Sequence, residues 1–142
     1  GAQIADYPGA GAAGGLGGGL LAFLKAELMR GIDIVIKASN LEEKLKGADM
    51  VITGEGKMDY QTQYGKTPFG VAKSAKKLGI PVIAIVGAIG ERIEELYGMG
   101  IDSVFSIADR PMALEESLAR TPELLSGTAE RIMRLIKSTR RI

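Results

Sequence analysis

The chain has 142 residues, 46% of them apolar and 25% charged, with a formal net charge of +1. That is long enough for one domain with a core, and a near-neutral balance gives no bulk attraction for nucleic acid or an anionic membrane. Cysteine and histidine are both absent. Disulfides, thiolate metal sites, thiol nucleophiles and the Ser-His-acid triad are therefore excluded, and acid–base work falls to carboxylates, lysines or tyrosines. No apolar run reaches the roughly 18 residues of a membrane span, and the first residues do not read as a signal peptide. A cytoplasmic location is expected.

Residues 1–8 read as irregular. Residues 9–19 form a glycine-rich loop that runs into a helix-like stretch at 20–26. Gly9-x-Gly11-x-x-Gly14 has the spacing of the dinucleotide fingerprint. That motif needs a strand directly before it, and Ala5-Asp6-Tyr7-Pro8 is a poor strand. The motif also wants an acid at the end of the next strand, whereas Asp33 stands at its start. The other readings are close helix packing through small residues, or a loop whose backbone N–H groups hold an anion. Residues 32–36 read as a strand. Ser39 or Asn40, with Glu42 and Glu43 following, looks like the start of a short helix that Gly47 ends.

From Asp49 the pattern becomes regular. A strand at 50–52 is followed by a polar loop, a helix at 69–78, a strand at 82–86 and a loop at 87–90. A helix at 91–97, a strand at 103–107 and two closing helices, 113–120 and 122–136, complete the chain. Apolar runs without alternation, separated by helices, predict parallel strands covered on both faces: an α/β, three-layer fold. A sheet this thin has two open edges, so either partner strands come from elsewhere or the chain forms a homodimer.

The polar stretch from Thr53 to Lys66 leaves the carboxyl end of the first of these strands, where open α/β sheets bind ligands. It holds two acids, two lysines and three glycines, a density that packing alone does not require. Glycines 9–19, Val51-Ile52-Thr53-Gly54-Glu55-Gly56, the Asp59-x-Gln61-Thr62-x-x-Gly65-Lys66 spacing and Gly100-Ile101-Asp102-Ser103-Val104-Phe105-Ser106 together resemble the C-terminal portion of bacterial glycerate kinases. The resemblance covers nearly the whole chain in the same order. Lys57 stands where that family commonly has arginine, and Tyr60 where it often has a small residue. A lysine cannot reproduce the bidentate contact of an arginine.

The resemblance implies a two-lobed phosphotransferase using ATP and Mg²⁺ on glycerate, with 2-phosphoglycerate the favoured product. Residues 1–40 would be the tail of an inserted, restriction-endonuclease-like lobe. Residues 41–142 would be the C-terminal part of an incomplete flavodoxin-like lobe, inactive alone. Asp59 is then the candidate to accept or steer the hydroxyl proton, or else a turn-capping residue. Lys57 and Lys66 are candidates for the carboxylate or the phosphates, or else surface lysines. Glu55 is a candidate Mg²⁺ ligand, or only pins its turn. Thr53, Gly54, Gln61 and Thr62 could bind substrate or phosphate, though Thr53, Gln61 and Thr62 could instead merely hold the loop's own backbone, and Gly9, Gly11 and Gly14 could present N–H groups across a cleft. The competing reading is a non-catalytic α/β ligand-binding or dimerisation module.

Overall fold

The structure is a computed structural model that describes Ile4 and residues 6–139. Its helices are α1 (Ala12–Leu24), α2 (Gly31–Ala38), α3 (Leu41–Leu45), α4 (Thr67–Lys77), α5 (Leu114–Ala119) and α6 (Thr121–Thr139). Its strands are β1 (Val51–Met58), β2 (Val82–Ile89) and β3 (Ser103–Ser106), and two 3₁₀ segments span Tyr60–Tyr64 and Ile93–Met99. The strands form one parallel sheet in the order β1-β2-β3.

The central strand sorts its side chains by alternation, since successive residues of a strand point to opposite faces. Val82, Ala84 and Val86 join Leu45, Met58, Ala72, Ala75, Leu96 and Ile101 in one core, beneath α3, α4 and the second 3₁₀ segment. Ile83 and Ile85 face the other way, onto Leu124 and Ile132 of α6 with Ile107. In α6, Leu124, Thr128 and Ile132 are buried, the spacing of a single helical face. Three layers result, as the apolar runs predict.

At the amino end of the strands, the Val82 N–H donates to Asp102 Oδ2 at 2.6 Å, and the Asp102 N–H donates to Val82 O at 2.8 Å. This reciprocal pair sets where β3 begins against β2. Asp102 therefore works at the end of the sheet opposite the polar loop.

Several elements depart from the sequence reading. Residues 32–36 are not a strand but lie within α2. A short apolar run fits either period, and here the tertiary contact decides. Ile32 and Ile36 lie on one side of α2 and pack over Gly70 of α4, so closely that a Cβ at Gly70 would sit 2.2 Å from Ile32 Cγ1. Neither Ser39 nor Asn40 caps α3 through its side chain: Asn40 is left-handed at φ +50°, and Ser39 Oγ donates back to Ile36 O. The glycine loop is helical from Ala12, with a left-handed break at Ala13, Gly14 and Gly15. The segment after β2 is 3₁₀ from Ile93 rather than an α-helix from Glu91.

The largest change concerns strand length. β1 continues to Met58 and β2 to Ile89, through residues expected to be loop. Gly54 pairs with Ile85, Lys57 with Ala88 and Met58 with Ile89. Glycines and charges read as loop in one dimension, but here they serve close backbone approach. A Cβ at Gly54 would lie 2.2 Å from Ile85 O, and one at Gly87 would lie 2.5 Å from Gly56 O. Gly54→Ala should therefore force the two strands apart and destabilise the protein by about 1–3 kcal/mol, the usual range for overpacking. Urea unfolding of the two proteins side by side checks this, and an unchanged midpoint would count against the tight approach.

Candidate active site

The lengthened strands carry the polar residues to the carboxyl edge of the sheet. Along β1, Thr53 and Glu55 are half-buried, whereas Gly54, Gly56 and Lys57 are exposed. The strand ends on fully buried Met58. Asp59 follows as the N-terminal cap of the 3₁₀ segment, its Oδ1 accepting from the Gln61 N–H at 3.0 Å. The same side chain closes a capping box with Thr62, whose hydroxyl in turn accepts from the Asp59 N–H.

Thr62 is the hub of this site. Its side chain is fully buried, and its hydroxyl donates to Glu55 Oε1 at 2.7 Å. The same oxygen accepts from the Asp59 N–H at 3.4 Å and from Lys66 Nζ at 3.5 Å. One donor and two lone pairs are then all used. Thr62 is consequently a brace for the site, with no free group to offer a ligand. Lys66 Nζ also lies 3.2 Å from Glu55 Oε2 and donates to Lys57 O at 3.4 Å. The Glu55 side chain is only 16% exposed, so this partly sheltered pair is screened less than a surface one.

Lys57 makes no ion pair among the described residues. Its stem runs past Gly90, where an added Cβ would meet Asp59 Cβ at 2.8 Å and Lys57 Cε at 3.0 Å. The loop after β2 thus forms the wall behind Lys57 and Asp59. Two backbone bonds fasten it there: the Gly90 N–H donates to Met58 O at 2.7 Å, and the Tyr60 N–H donates to Glu91 O at 3.2 Å.

The sequence reading missed Arg92. Its guanidinium carbon lies 4.6 Å from the centre of the Tyr60 ring. A hydrogen bond to Glu95, together with that carboxylate's charge, raises the Arg92 pKa above its ordinary value. The sequence reading placed only a loop at 87–90 before it.

Gly9, Gly11 and Gly14 are not brought to the strand ends. Around them the chain packs on itself, with Gly17 against Gly9 O and Gly18 against Ala10 O. Among the described residues α1 has no extensive packing on the sheet or its helices. No strand precedes Gly9 among the described residues either, so the dinucleotide motif lacks its defining context. A separate hollow of about 410 Å³ lies between α2, α3 and α4, lined by Ile32, Ile36, Phe69, Lys37 and Lys73 among others. It includes none of Lys57, Asp59 or Lys66.

For Mg²⁺, no group of three or more acidic side chains is assembled among the described residues. Glu55 spends both oxygens on Thr62 and Lys66. An ion that keeps most of its waters and binds chiefly phosphates still fits, because it needs only one or two protein carboxylates. Among the described residues no helix is long and apolar enough to cross a membrane.

The chain is thus a parallel three-layer α/β unit with lysines and carboxylates gathered at its strand ends. The glycerate kinase family model matches residues 1–137, and the chain belongs to that family. It is 52% identical to a glycerate kinase of Halalkalibacterium halodurans over 132 residues, which are 93% of this chain and 35% of that protein. It is 49% identical to the glycerate 2-kinase of Escherichia coli strain K12 over 115 residues, 81% of this chain and 30% of that enzyme. A crystal structure from Salmonella typhimurium LT2, given the provisional name glycerate kinase 2, superposes with a TM-score of 0.73 at 43% identity. That superposition covers 94% of this chain and 34% of the other. The chain thus spans about a third of the length of the relatives it matches.

The brace makes a direct prediction. Thr62→Val removes the hydroxyl while keeping the shape, leaving Glu55, Lys66 and the Asp59 N–H each short of a partner. A loss of about 1–3 kcal/mol is expected for such unsatisfied groups. Thermal unfolding should show it, and Thr62→Ser should recover most of the loss.

Proposed function

We propose that the protein containing this chain transfers the γ-phosphate of ATP to a hydroxyl of glycerate, with 2-phosphoglycerate the favoured product. The observation that carries this reading is the division of labour at the end of β1. Lys66 is anchored by Glu55, whereas Lys57 and Asp59, side by side against Gly90, make no ion pair among the described residues. Phosphoryl transfer asks for positioned positive charge and a group that orients the attacking hydroxyl. Asp59 receives the hydroxyl proton as the substrate oxygen bonds to phosphorus and ADP departs. Lys57 and Lys66 hold the glycerate carboxylate or the phosphates as point charges. The backbone at Thr53 and Gly54, and the exposed amide of Gln61, supply neutral hydrogen bonds.

Mg²⁺ would be carried on the ATP phosphates with Glu55 or Asp59 as its nearest carboxylate, and it would offset charge on the transferring group. Gly9, Gly11 and Gly14 belong to the segment assigned to the second lobe, residues 1–40, and would face an anion across the cleft in the longer protein. Residues 41–142 form the C-terminal part of the sheet lobe. Its open edges at β1 and β3 would be covered by strands of the longer protein or by a second copy.

Asp59→Asn keeps the capping oxygen but loses the charge. In the full-length protein it should lower kcat about 10²- to 10⁴-fold, the usual contribution of a positioned acid–base group. A coupled ADP-release assay with D-glycerate, ATP and Mg²⁺ reads this, with the product identified as the 2- or 3-phosphate. Undiminished turnover would remove Asp59 from the mechanism. The 142-residue chain alone should release no ADP in the same assay, and turnover equal to that of the longer protein would overturn the fragment reading.

A further inference from the structure

We infer that Arg92 is a positioning residue: stacked on Tyr60, it locks the loop after β2 onto the loop after β1 and so holds Asp59 in place. This rests on the functional reading above. Arg92 lies on the loop that follows β2, and Tyr60 is the immediate neighbour of Asp59. The guanidinium sits 4.6 Å from the ring centre, within the range where a cation is drawn to an aromatic face. Glu95 holds it from the other side through Nε.

The backbone adds a second, independent observation. Arg92 is left-handed at φ +54°, a region that non-glycine residues avoid. Such a conformation persists only where its surroundings impose it. Here they are the two bonds that stitch the loops together, Gly90 N–H to Met58 O and Tyr60 N–H to Glu91 O, together with the ring stack. Gly90 lies so close to Asp59 Cβ and Lys57 Cε that the two loops cannot shift independently. Holding the Arg92 side chain on Tyr60 therefore fixes the wall against which Asp59 and Lys57 stand.

Arg92 is exposed, and loss of an exposed side chain ordinarily changes stability little. The lock should therefore appear in turnover before it appears in unfolding. Arg92→Asn suits the test because asparagine tolerates the left-handed conformation, and Tyr60→Leu removes the ring. In the full-length protein each should lower kcat about two- to five-fold with KM little changed, the equivalent of one exposed cation–π contact. The double variant should be no worse than either single one, and Tyr60→Phe, which keeps the ring face, should restore kcat. Amide hydrogen exchange at Gln61 and Thr62 should quicken in Arg92→Asn and Tyr60→Leu but not in Tyr60→Phe.

Unchanged kcat with unchanged exchange overturns the lock. So do losses that add in the double variant, or that follow a lowered unfolding midpoint and are not restored by phenylalanine. If the unaltered full-length protein does not phosphorylate glycerate, the functional reading fails. The exchange measurements then decide the lock by themselves.

Discussion

The close approach of β1 and β2 is the constraint on which the site depends. Where Gly54 faces Ile85 O and Gly87 faces Gly56 O, no side chain fits between the backbones. The pairing therefore runs on to Met58 and Ile89. The extended β1 carries exposed Lys57 and then anchors its end in the core through fully buried Met58. Glu55 and Lys57 are consequently held on a hydrogen-bonded ladder, not on a loop. Residues carried by a regular element are fixed more tightly than residues carried by a connection. The contact at Gly90 continues the same logic one step beyond the strands, where the two following loops meet.

On that rigid edge the charges divide into two kinds. Glu55, Thr62 and Lys66 satisfy one another, and a network whose members are all paired can rigidify a site instead of weakening it. Lys57 and Asp59 make no ion pair among the described residues. The inner network pairs the sheltered Glu55 and holds Lys66 in place beside Lys57. This also bears on metal binding, since a cation seated on Glu55 would have to compete with Lys66 for the same oxygen.

Membership of the glycerate kinase family and a span of about a third of its relatives fit the incomplete look of the sheet. Among the described residues β1 and β3 each have a single neighbour. An exposed parallel edge carries unpaired N–H and C=O groups that proteins normally cover. Among the described residues α1 has no extensive packing on the sheet or its helices, while α2 rests on α4 through Ile32, Ile36 and Gly70.

The sequence alone determined the α/β class, the parallel strands, the identity of the polar stretch and the family resemblance. Uninterrupted apolar runs and the order of their punctuation do not depend on distant contacts. Asp59, Lys57 and Lys66 were singled out as candidates for the same reason, lying together along the chain. Tertiary structure alone decided that residues 32–36 are helical, because a five-residue apolar run suits either period until Gly70 offers Ile32 a seat. It decided that glycines 54, 56 and 87 extend strands, since a missing side chain signals a turn until a neighbouring backbone fills the space. It also joined Thr62 to Glu55 and Lys66 and brought Arg92 onto Tyr60, a partner thirty-two positions earlier. Periodicity and composition are local properties of a chain, and contacts across strands and between loops are not.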